Sequence, residues 1–177
     1  YYDVINGDGV DWAVIGDVSG HGVTSGLIMM MVQTTIQVLV RENPDISPSY
    51  VLETINRGVS YNIKQMKQDK YMTINVFKLY PDGRVIYSGL HQDILIYRAD
   101  KDEVEFIETE GMWLGLDMDL DGLNFDQEFK LNSGDSVLLY TDGITEAEDS
   151  DSKMFEEKRL AKVFKKVGKE SPEKIRD

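Results

Sequence analysis

The spacing of the apolar residues changes from strand-like to helical and back to strand-like along this chain, and those changes limit the folds open to it. From Thr24 to Arg41, apolar residues recur every three or four positions, which predicts a buried helix. Ser47 and Pro48 are typical of the start of a second helix, which is predicted to run to about Gln65.

The strands lie before and after these helices, and the first is predicted at Val10–Ile15. Beyond residue 70 the spacing falls to two, and strands are predicted at Tyr71–Phe77, Val85–Tyr87, Ile94–Tyr97, Glu103–Ile107, Phe125–Leu131 and Ser136–Tyr140. Helices in one block and hairpin-linked strands in another predict an α+β fold with mostly antiparallel sheet.

The first helix is predicted to be a core element. Its apolar face is formed by Leu27, Ile28, Met31, Thr35, Val38 and Leu39. The run Met29–Met31 is expected to fill space in the core rather than to form a binding surface. No uninterrupted apolar run approaches the roughly 18 residues that a membrane-spanning helix needs, so we expect no direct membrane insertion.

The composition restricts the partners and the compartment. The chain has 177 residues and a net charge of −13, which indicates one domain and argues against nucleic acid or an anionic membrane as a partner. It contains no cysteine, which excludes disulfides, thiolate zinc sites and cysteine nucleophiles and fits a reducing cytoplasm. Because the chain begins at Tyr1, without Met and inside a predicted strand, we expect residues 1–177 to be one domain of a longer protein, truncated at both ends.

Two segments place an aspartate after an apolar run and follow it with glycine or other small residues. These are Asp17, within Gly16–Gly22, and Asp142, within Tyr140–Ala147. Carboxylate oxygens suit hard cations such as Mg²⁺ or Mn²⁺, and glycine lets backbone and water approach closely. The two segments therefore predict a divalent-cation site. The structural alternatives are that Asp17 caps the helix that follows it and that Asp142 belongs to a type I turn.

The same two segments resemble a known family. Gly16–Gly22 reads Gly-Asp-Val-Ser-Gly-His-Gly, and Tyr140–Ala147 reads Tyr-Thr-Asp-Gly-Ile-Thr-Glu-Ala. Both resemble motifs of the SpoIIE-type branch of the metal-dependent serine/threonine phosphatases (the PPM family), in the same order and spacing. Met72–Thr73, Leu114–Gly115 and Gly134–Asp135 also fit the family pattern, so the resemblance covers nearly the whole chain.

The resemblance implies a fold and a metal centre. The fold is a four-layer αββα sandwich, in which two mostly antiparallel sheets are flanked by helices. The centre holds two Mn²⁺ or Mg²⁺ ions, with Asp17 bridging both, the Val18 carbonyl adding a ligand and Asp142 binding one ion. The ions would activate a shared water for direct attack on phosphorus. His21 is a candidate proton donor to the leaving seryl oxygen, or else a hydrogen-bonding partner of the loop backbone. The implied catalytic residues are thus Asp17, Asp142 and His21.

The implied activity is the hydrolysis of phosphoserine or phosphothreonine on a bacterial regulatory protein, such as the antagonist of an anti-sigma factor. The implied partners are this phosphorylated protein and a sensor domain upstream in the parent chain, and a homodimer is left open. The alternative is a non-catalytic module that binds a phosphoprotein through the same cleft, with a degenerate metal site.

The chain departs from the family pattern in three places. A ligand aspartate of the family would precede Tyr1, and another would follow Asp177, so we expect only part of the metal site in this chain. In the segment Ser88–Asp93, many relatives have Ala-Gly-His followed by prolines. His91 is shifted by one position from that histidine and is interpreted as a structural turn residue.

Ser19 suggests a different chemistry, because a serine beside glycine and histidine resembles an esterase site. The chain has no Gly-x-Ser-x-Gly elbow and only two histidines, which disfavours a catalytic triad.

A calcium-binding loop is the remaining alternative. Asp117–Gly122 with Glu128 satisfies the Ca²⁺-loop pattern of an EF-hand. Gly111 and Gly115 would break the entering helix, and the residues after 124 alternate as a strand. An EF-hand is therefore disfavoured, and a Ca²⁺-responsive scaffold is kept as a third hypothesis.

Overall fold

The chain folds as two compact units, in a computed structural model that describes residues 1–7, 9–120 and 122–177. Unit 1 comprises Tyr1–His91 and Glu110–Lys130, and unit 2 comprises Gln92–Thr109 and Leu131–Asp177. Each unit contains one antiparallel sheet and helices of its own. The predicted α+β class with two antiparallel sheets is therefore confirmed.

Unit 1 is built on a five-stranded antiparallel sheet. Two helices, α1 (Val23–Glu42) and α2 (Pro48–Gln65), lie between its second and third strands in the sequence. The strands in spatial order are β1 (Tyr2–Ile5), β2 (Asp11–Val18), β3 (Met72–Leu79), β4 (Arg84–Ser88) and β7 (Gln127–Lys130). The pairing of β2 with β3 runs the full length of both strands, from Asp11 opposite Leu79 to Val18 opposite Met72.

Helix α2 begins and packs as the sequence predicts. The Ser47 hydroxyl accepts a hydrogen bond from the Tyr50 N–H at 3.3 Å, and Pro48 occupies the first turn, where a missing N–H costs nothing. The predicted apolar face is buried, with exposed fractions of 2% or less at Val51, Leu52, Ile55 and Val59. The local signals for this helix were therefore sufficient.

The buried face of α1 differs from the predicted one. Its buried residues are Ser25, Ile28, Val32, Ile36 and Val40. By contrast, Leu27 and Val38 are 52% and 55% exposed. Apolar residues occur on nearly every side of this helix, so their spacing alone did not define the face. Met30 is also exposed and lines a groove of about 520 Å³ with residues of α2, so the interpretation of Met29–Met31 as core filler is wrong for Met30.

One helix in the described part of the chain, α1, is long and apolar enough to cross a membrane by length and composition alone. The criterion of an uninterrupted apolar run overlooked it, because Gln33, Thr34 and Thr35 interrupt the apolar residues. In unit 1 the same helix places Ile28 and Val32 in the hydrophobic core. A core helix of this length meets the same criteria as a membrane span.

Unit 2 has a three-stranded antiparallel sheet. Its spatial order is β6 (Glu103–Ile107), β5 (Ile94–Arg98) and β8 (Ser136–Leu138). The helices that follow are α3 (Asp142–Thr145), α4 (Glu157–Val167) and α5 (Pro172–Arg176). The core of this unit joins the sheet to α4 through Leu95, Tyr97, Tyr140, Leu160, Ala161 and Phe164.

Several element boundaries differ from the sequence prediction. The prediction ended β2 at Ile15, whereas pairing with β3 continues through Gly16 to Val18. Strand β7 begins at Gln127 rather than Phe125, and β8 ends at Leu138, before the predicted end. Helix α3 was not predicted, because four residues are too few to show a helical period.

Asp135 connects β8 to β5 through a buried carboxylate. It accepts hydrogen bonds from the Ala99 N–H and the Asn132 N–H, both at 3.0 Å, and from the Arg98 guanidinium at 2.9 Å. Its side chain is 1% exposed. Burial alone would raise the pKa of Asp135, but the hydrogen bonds from Asn132, Ala99 and the Arg98 charge outweigh burial and lower it. This residue of the Gly134–Asp135 motif therefore serves the fold of unit 2.

Replacing Asp135 by Ala should destabilise the protein by about 3 kcal/mol, because the Arg98 charge and two backbone N–H groups lose their acceptor. The matched control is Glu105→Ala, which removes a 48% exposed partner of the same arginine. That change should cost less than about 1 kcal/mol. Urea unfolding at pH 7, followed by circular dichroism, compares the two variants.

The free energy of unfolding lost in Asp135→Ala should also depend on pH. Because the folded-state pKa of Asp135 is lowered, its contribution is complete above the unfolded value of about 3.8 and is lost as the pH falls through the folded value. The difference in the free energy of unfolding between the wild type and Asp135→Ala should therefore become smaller as the pH is lowered. Equal losses in Asp135→Ala and Glu105→Ala at pH 7 would contradict this role.

Candidate functional site

The sequence predicted that Asp17 follows the end of its strand, but Asp17 lies within β2. It pairs with Thr73 across the β2–β3 ladder, and its side chain is exposed. Among the described residues, its carboxylate has no hydrogen-bond or ion-pair partner, since only its backbone carbonyl accepts a bond, from the Thr73 hydroxyl at 3.4 Å. The N-cap of α1 is Gly22, with no side-chain capping bond, so Asp17 does not cap that helix. The carboxylate is therefore accessible to a cation.

Hydrogen-bonded and non-hydrogen-bonded pairs alternate along the β2–β3 ladder, and this alternation determines the direction of the Val18 carbonyl. Met72, the residue opposite Val18, exchanges both of its backbone hydrogen bonds with Leu114 at 2.9 Å. The Val18–Met72 pair is thus one of the non-hydrogen-bonded pairs, in which the N–H and C=O groups point away from the partner strand. On the other side of β2, Tyr1 and Gly16 exchange hydrogen bonds. The Val18 carbonyl, two residues further along β2, therefore points to that same side, away from β3.

Ser19 fixes the loop that follows Asp17. Its N–H donates to the Tyr71 carbonyl at 2.9 Å, and its hydroxyl accepts from the Tyr71 N–H at 3.0 Å. Its carbonyl accepts from the Lys70 ammonium at 2.8 Å and from the Ser25 hydroxyl at 3.2 Å. The hydroxyl is thus used to anchor backbone, which agrees with the rejection of Ser19 as a nucleophile.

His21 is presented on this loop between two glycines with left-handed backbone. Gly20 has φ 71° and Gly22 has φ 94°. The imidazole is exposed and forms no hydrogen bond with any residue that the structure describes. The alternative in which His21 bonds the loop backbone is therefore not observed, and the side chain is accessible to a substrate.

His91 makes a contact that the sequence analysis missed. Its Nδ1 and the Thr73 hydroxyl oxygen are 2.8 Å apart, and the donor depends on the imidazole tautomer. Because Thr73 stands directly opposite Asp17, the interpretation of His91 as a turn residue omitted a contact beside the candidate ligand. The family pattern placed Thr73 and His91 in separate motifs, and nothing in the sequence indicated that the two side chains meet.

Asp142 is the first residue of α3 in unit 2. Thr141 is the N-cap residue, without a side-chain capping bond, and the Asp142 carbonyl accepts from the Glu146 N–H at 2.7 Å and the Thr145 hydroxyl at 3.2 Å. The Asp142 carboxylate is half-buried and has no hydrogen-bond partner within the described ranges. The turn alternative is replaced by a short helix that presents this carboxylate at its start.

Negative charge is concentrated around Tyr140 in unit 2. The Tyr140 hydroxyl donates to the Glu157 carboxylate, and burial followed by this bond raises the pKa of Tyr140. Burial, and then the charges of Glu157 and Glu108, raise the pKa of Asp93. Asp93 and Glu157 were not singled out by the sequence, because they come together only through the packing of α4 on the sheet.

Each unit by itself supplies oxygen ligands for a hard cation. Unit 1 offers the Asp17 carboxylate and the Val18 carbonyl, and unit 2 offers the Asp142 carboxylate. Within residues 1–7, 9–120 and 122–177, no group of three or more His, Asp and Glu side chains is arranged to hold a metal ion. Mg²⁺ is commonly bound through one or two carboxylates and keeps several waters. The donors of each unit therefore fit Mn²⁺ or Mg²⁺ as part of a coordination shell.

The EF-hand pattern does not correspond to an EF-hand. Asp121, one of its positions, lies outside the described residues. Glu128 is on β7, and the backbone carbonyl of Asp117 accepts hydrogen bonds from Asn56 at 2.7 Å and Ser60 at 2.8 Å. A helix neither enters nor leaves this loop in the described part of the chain.

The two sheets, the helices and the two aspartate motifs are those of the PPM class of phosphatase domains. The chain belongs to the SpoIIE family, because residues 7–177 match the family described as Stage II sporulation protein E (SpoIIE). The resemblance inferred from Gly16–Gly22 and Tyr140–Ala147 is thereby confirmed.

Individual relatives agree with this assignment. The phosphoserine phosphatase RsbU of Bacillus subtilis (strain 168) is 32% identical over 136 residues, which are 75% of this chain and 38% of RsbU. The SiaA-PP2C domain of Pseudomonas aeruginosa has the same fold, with a TM-score of 0.81, 18% identity, and coverage of 99% of this chain and 69% of that one. RsbX in complex with magnesium matches with a TM-score of 0.66, 14% identity, and coverage of 99% and 75%. The chain thus spans 38% of the length of RsbU. The assignment of Asp17, Val18, His21 and Asp142 to the site stays a prediction.

Replacing Asp17 by Asn should weaken Mn²⁺ binding at least tenfold, because a neutral amide is a poorer ligand for a hard cation than a carboxylate. Asp11→Asn is the matched control, since Asp11 is also exposed and lies on the same face of β2. Isothermal titration with MnCl₂ measures both variants. Equal weakening in the two would show that net charge, and not ligation by Asp17, sets the affinity.

Proposed function

We propose that this chain is the catalytic domain of a metal-dependent protein-serine/threonine phosphatase. The observation that carries the proposal is the exposed, unpartnered Asp17 carboxylate next to the outward Val18 carbonyl, in a chain of the SpoIIE family. The similarity to RsbU, which is named a phosphoserine phosphatase, supports the same activity.

In this proposal Asp17, the Val18 carbonyl and Asp142 hold Mn²⁺ or Mg²⁺, and RsbX has been solved in complex with magnesium. The ions supply an acidified water and a positive clamp on the phosphoryl oxygens. Ser19 holds the loop that follows Asp17 and carries His21 against β3, so that the loop does not have to be ordered when substrate binds. His21, exposed on that loop, donates a proton to the leaving seryl oxygen.

The substrate in this proposal is a phosphorylated regulatory protein in a bacterial signalling pathway of the cytoplasm, such as the antagonist of an anti-sigma factor. Direct attack by water explains how a chain without cysteine can cleave a phosphate ester. The upstream sensor domain belongs to the same proposal.

A non-catalytic module that binds a phosphoprotein is the second candidate. The observation in its favour is that the described residues contain no group of three or more carboxylate or imidazole ligands. A site with few ligands can bind a phosphoprotein through a weakly held cation without turning it over.

Turnover should separate the two candidates. The full-length protein should release phosphate from a phosphoserine protein only with Mn²⁺ or Mg²⁺, and Asp142→Asn should lower the rate by about a hundredfold or more. Asp151→Asn, an exposed change of equal charge in the same region, should leave the rate within about twofold.

Phosphate release is measured continuously with a coupled assay, alongside thermal unfolding of each variant. A folded protein that binds the phosphoprotein but does not turn it over would reject the enzyme and favour the binding module.

A further inference from the structure

Lys70 lies at the entrance to β3, next to the loop that carries His21. Continuing the β2–β3 register from Asp17 opposite Thr73 places Lys70 opposite Gly20. The Lys70 ammonium donates to the Ser19 carbonyl at 2.8 Å. Ser19 is two residues beyond Asp17, which is about 7 Å along an extended chain.

Among the described residues, the Lys70 ammonium has no carboxylate partner, and its one hydrogen bond is to the Ser19 carbonyl. An ammonium carries three N–H donors, so two remain available. These two donors lie beside the loop that follows Asp17 and carries His21.

The surroundings hold this lysine in place. The next residue, Tyr71, is bound to Ser19 through both its N–H and its carbonyl, and its ring stacks on Trp113 with centroids 4.7 Å apart. Gly20 has φ 71°, and a Cβ there would collide with the Lys70 ammonium. Gly22 has a comparable φ of 94°, but a Cβ there would meet nothing within 4 Å. Glycine at position 20 therefore leaves room for the ammonium.

We infer that Lys70 binds the phosphoryl group of the substrate at the edge of the loop that follows Asp17. This inference rests on the proposed phosphatase function. Lysine is a common phosphate-binding residue because its charge is compact and its donors rotate freely. A phosphoryl group has three acceptor oxygens, so a group bound through a cation near Asp17 can present a second oxygen to the Lys70 ammonium.

Lys70→Gln is the discriminating variant, because glutamine can still donate to the Ser19 carbonyl but has no charge. It should weaken the binding of inorganic phosphate about tenfold or more. Lys70→Arg, which keeps the charge, should bind within about threefold of the wild type. Lys101→Gln, an equal charge change at an exposed turn, should bind as the wild type does. Equilibrium dialysis of the full-length protein with ³²P-labelled phosphate and Mg²⁺ measures all four proteins.

Turnover supplies an independent readout. With p-nitrophenyl phosphate, Lys70→Gln should raise KM about tenfold while kcat changes less than about threefold. A role limited to holding the loop would leave phosphate binding by Lys70→Gln unchanged, and that result would overturn the inference. A wild type that binds no phosphate would overturn it as well. A wild type that binds phosphate in a Lys70-dependent way but hydrolyses no ester would reject the proposed enzyme and retain this anion site.

Two glycine variants keep the inference testable if Lys70→Gln does not fold. Gly20→Ala should displace the ammonium and weaken phosphate binding about tenfold, whereas Gly22→Ala imposes similar backbone strain without that contact. Equal phosphate affinity in Gly20→Ala and Gly22→Ala would also overturn the role of Lys70.

Discussion

The pairing of β2 with β3 determines where the candidate ligands of unit 1 lie. In an antiparallel pair, opposite residues point to the same face of the sheet and successive residues alternate between the faces. Trp12, Val14 and Val18 enter the core on one face, and Asp17 stands opposite Thr73 on the other. A shift of the register by one residue would move the apolar residues out of the core and the carboxylate into it. The free energy of burying the core therefore also holds the Asp17 carboxylate at the surface.

The glycines of the first motif serve this arrangement in different ways. A Cβ at Gly16 would lie 2.5 Å from the Thr73 carbonyl oxygen and 2.9 Å from the Met72 Cε, so glycine is needed there for the close approach of the two strands. Gly20 instead combines a left-handed backbone with room for the Lys70 ammonium. One motif thus encodes strand packing and loop conformation together, which explains why it can be recognised from sequence.

Features with local signals could be predicted from the sequence, and features that depend on distant contacts could not. Helix α2 carries its cap, its proline and its spacing within the range Pro48–Gln65, and it was found there. The position of helix α1 was predicted, but its buried face was not, because its own apolar residues occur on nearly every side. Asp17 was found through its motif, but the extension of β2 past it depends on pairing with β3. Lys70 belongs to no motif, and His91 is shifted from the family's histidine. Each becomes significant only through a partner elsewhere in the sequence, 51 positions away in the case of Lys70 and Ser19.

Electrostatics sets a condition on any phosphoprotein partner. The chain carries a net charge of −13, and a phosphoryl group brings about −1.5 to −2 at pH 7, so the net charge of the chain repels the phosphoryl group itself. Salt screens the interaction between exposed charges that are more than about 8 to 10 Å apart. The net charge of the groups within that distance of Asp17 therefore has the largest effect on the binding of the phosphoryl group. Cations held by Asp17, together with the Lys70 ammonium, would make that sign positive. Because the chain is acidic as a whole, a phosphoryl group would gain attraction at this place against a background of repulsion.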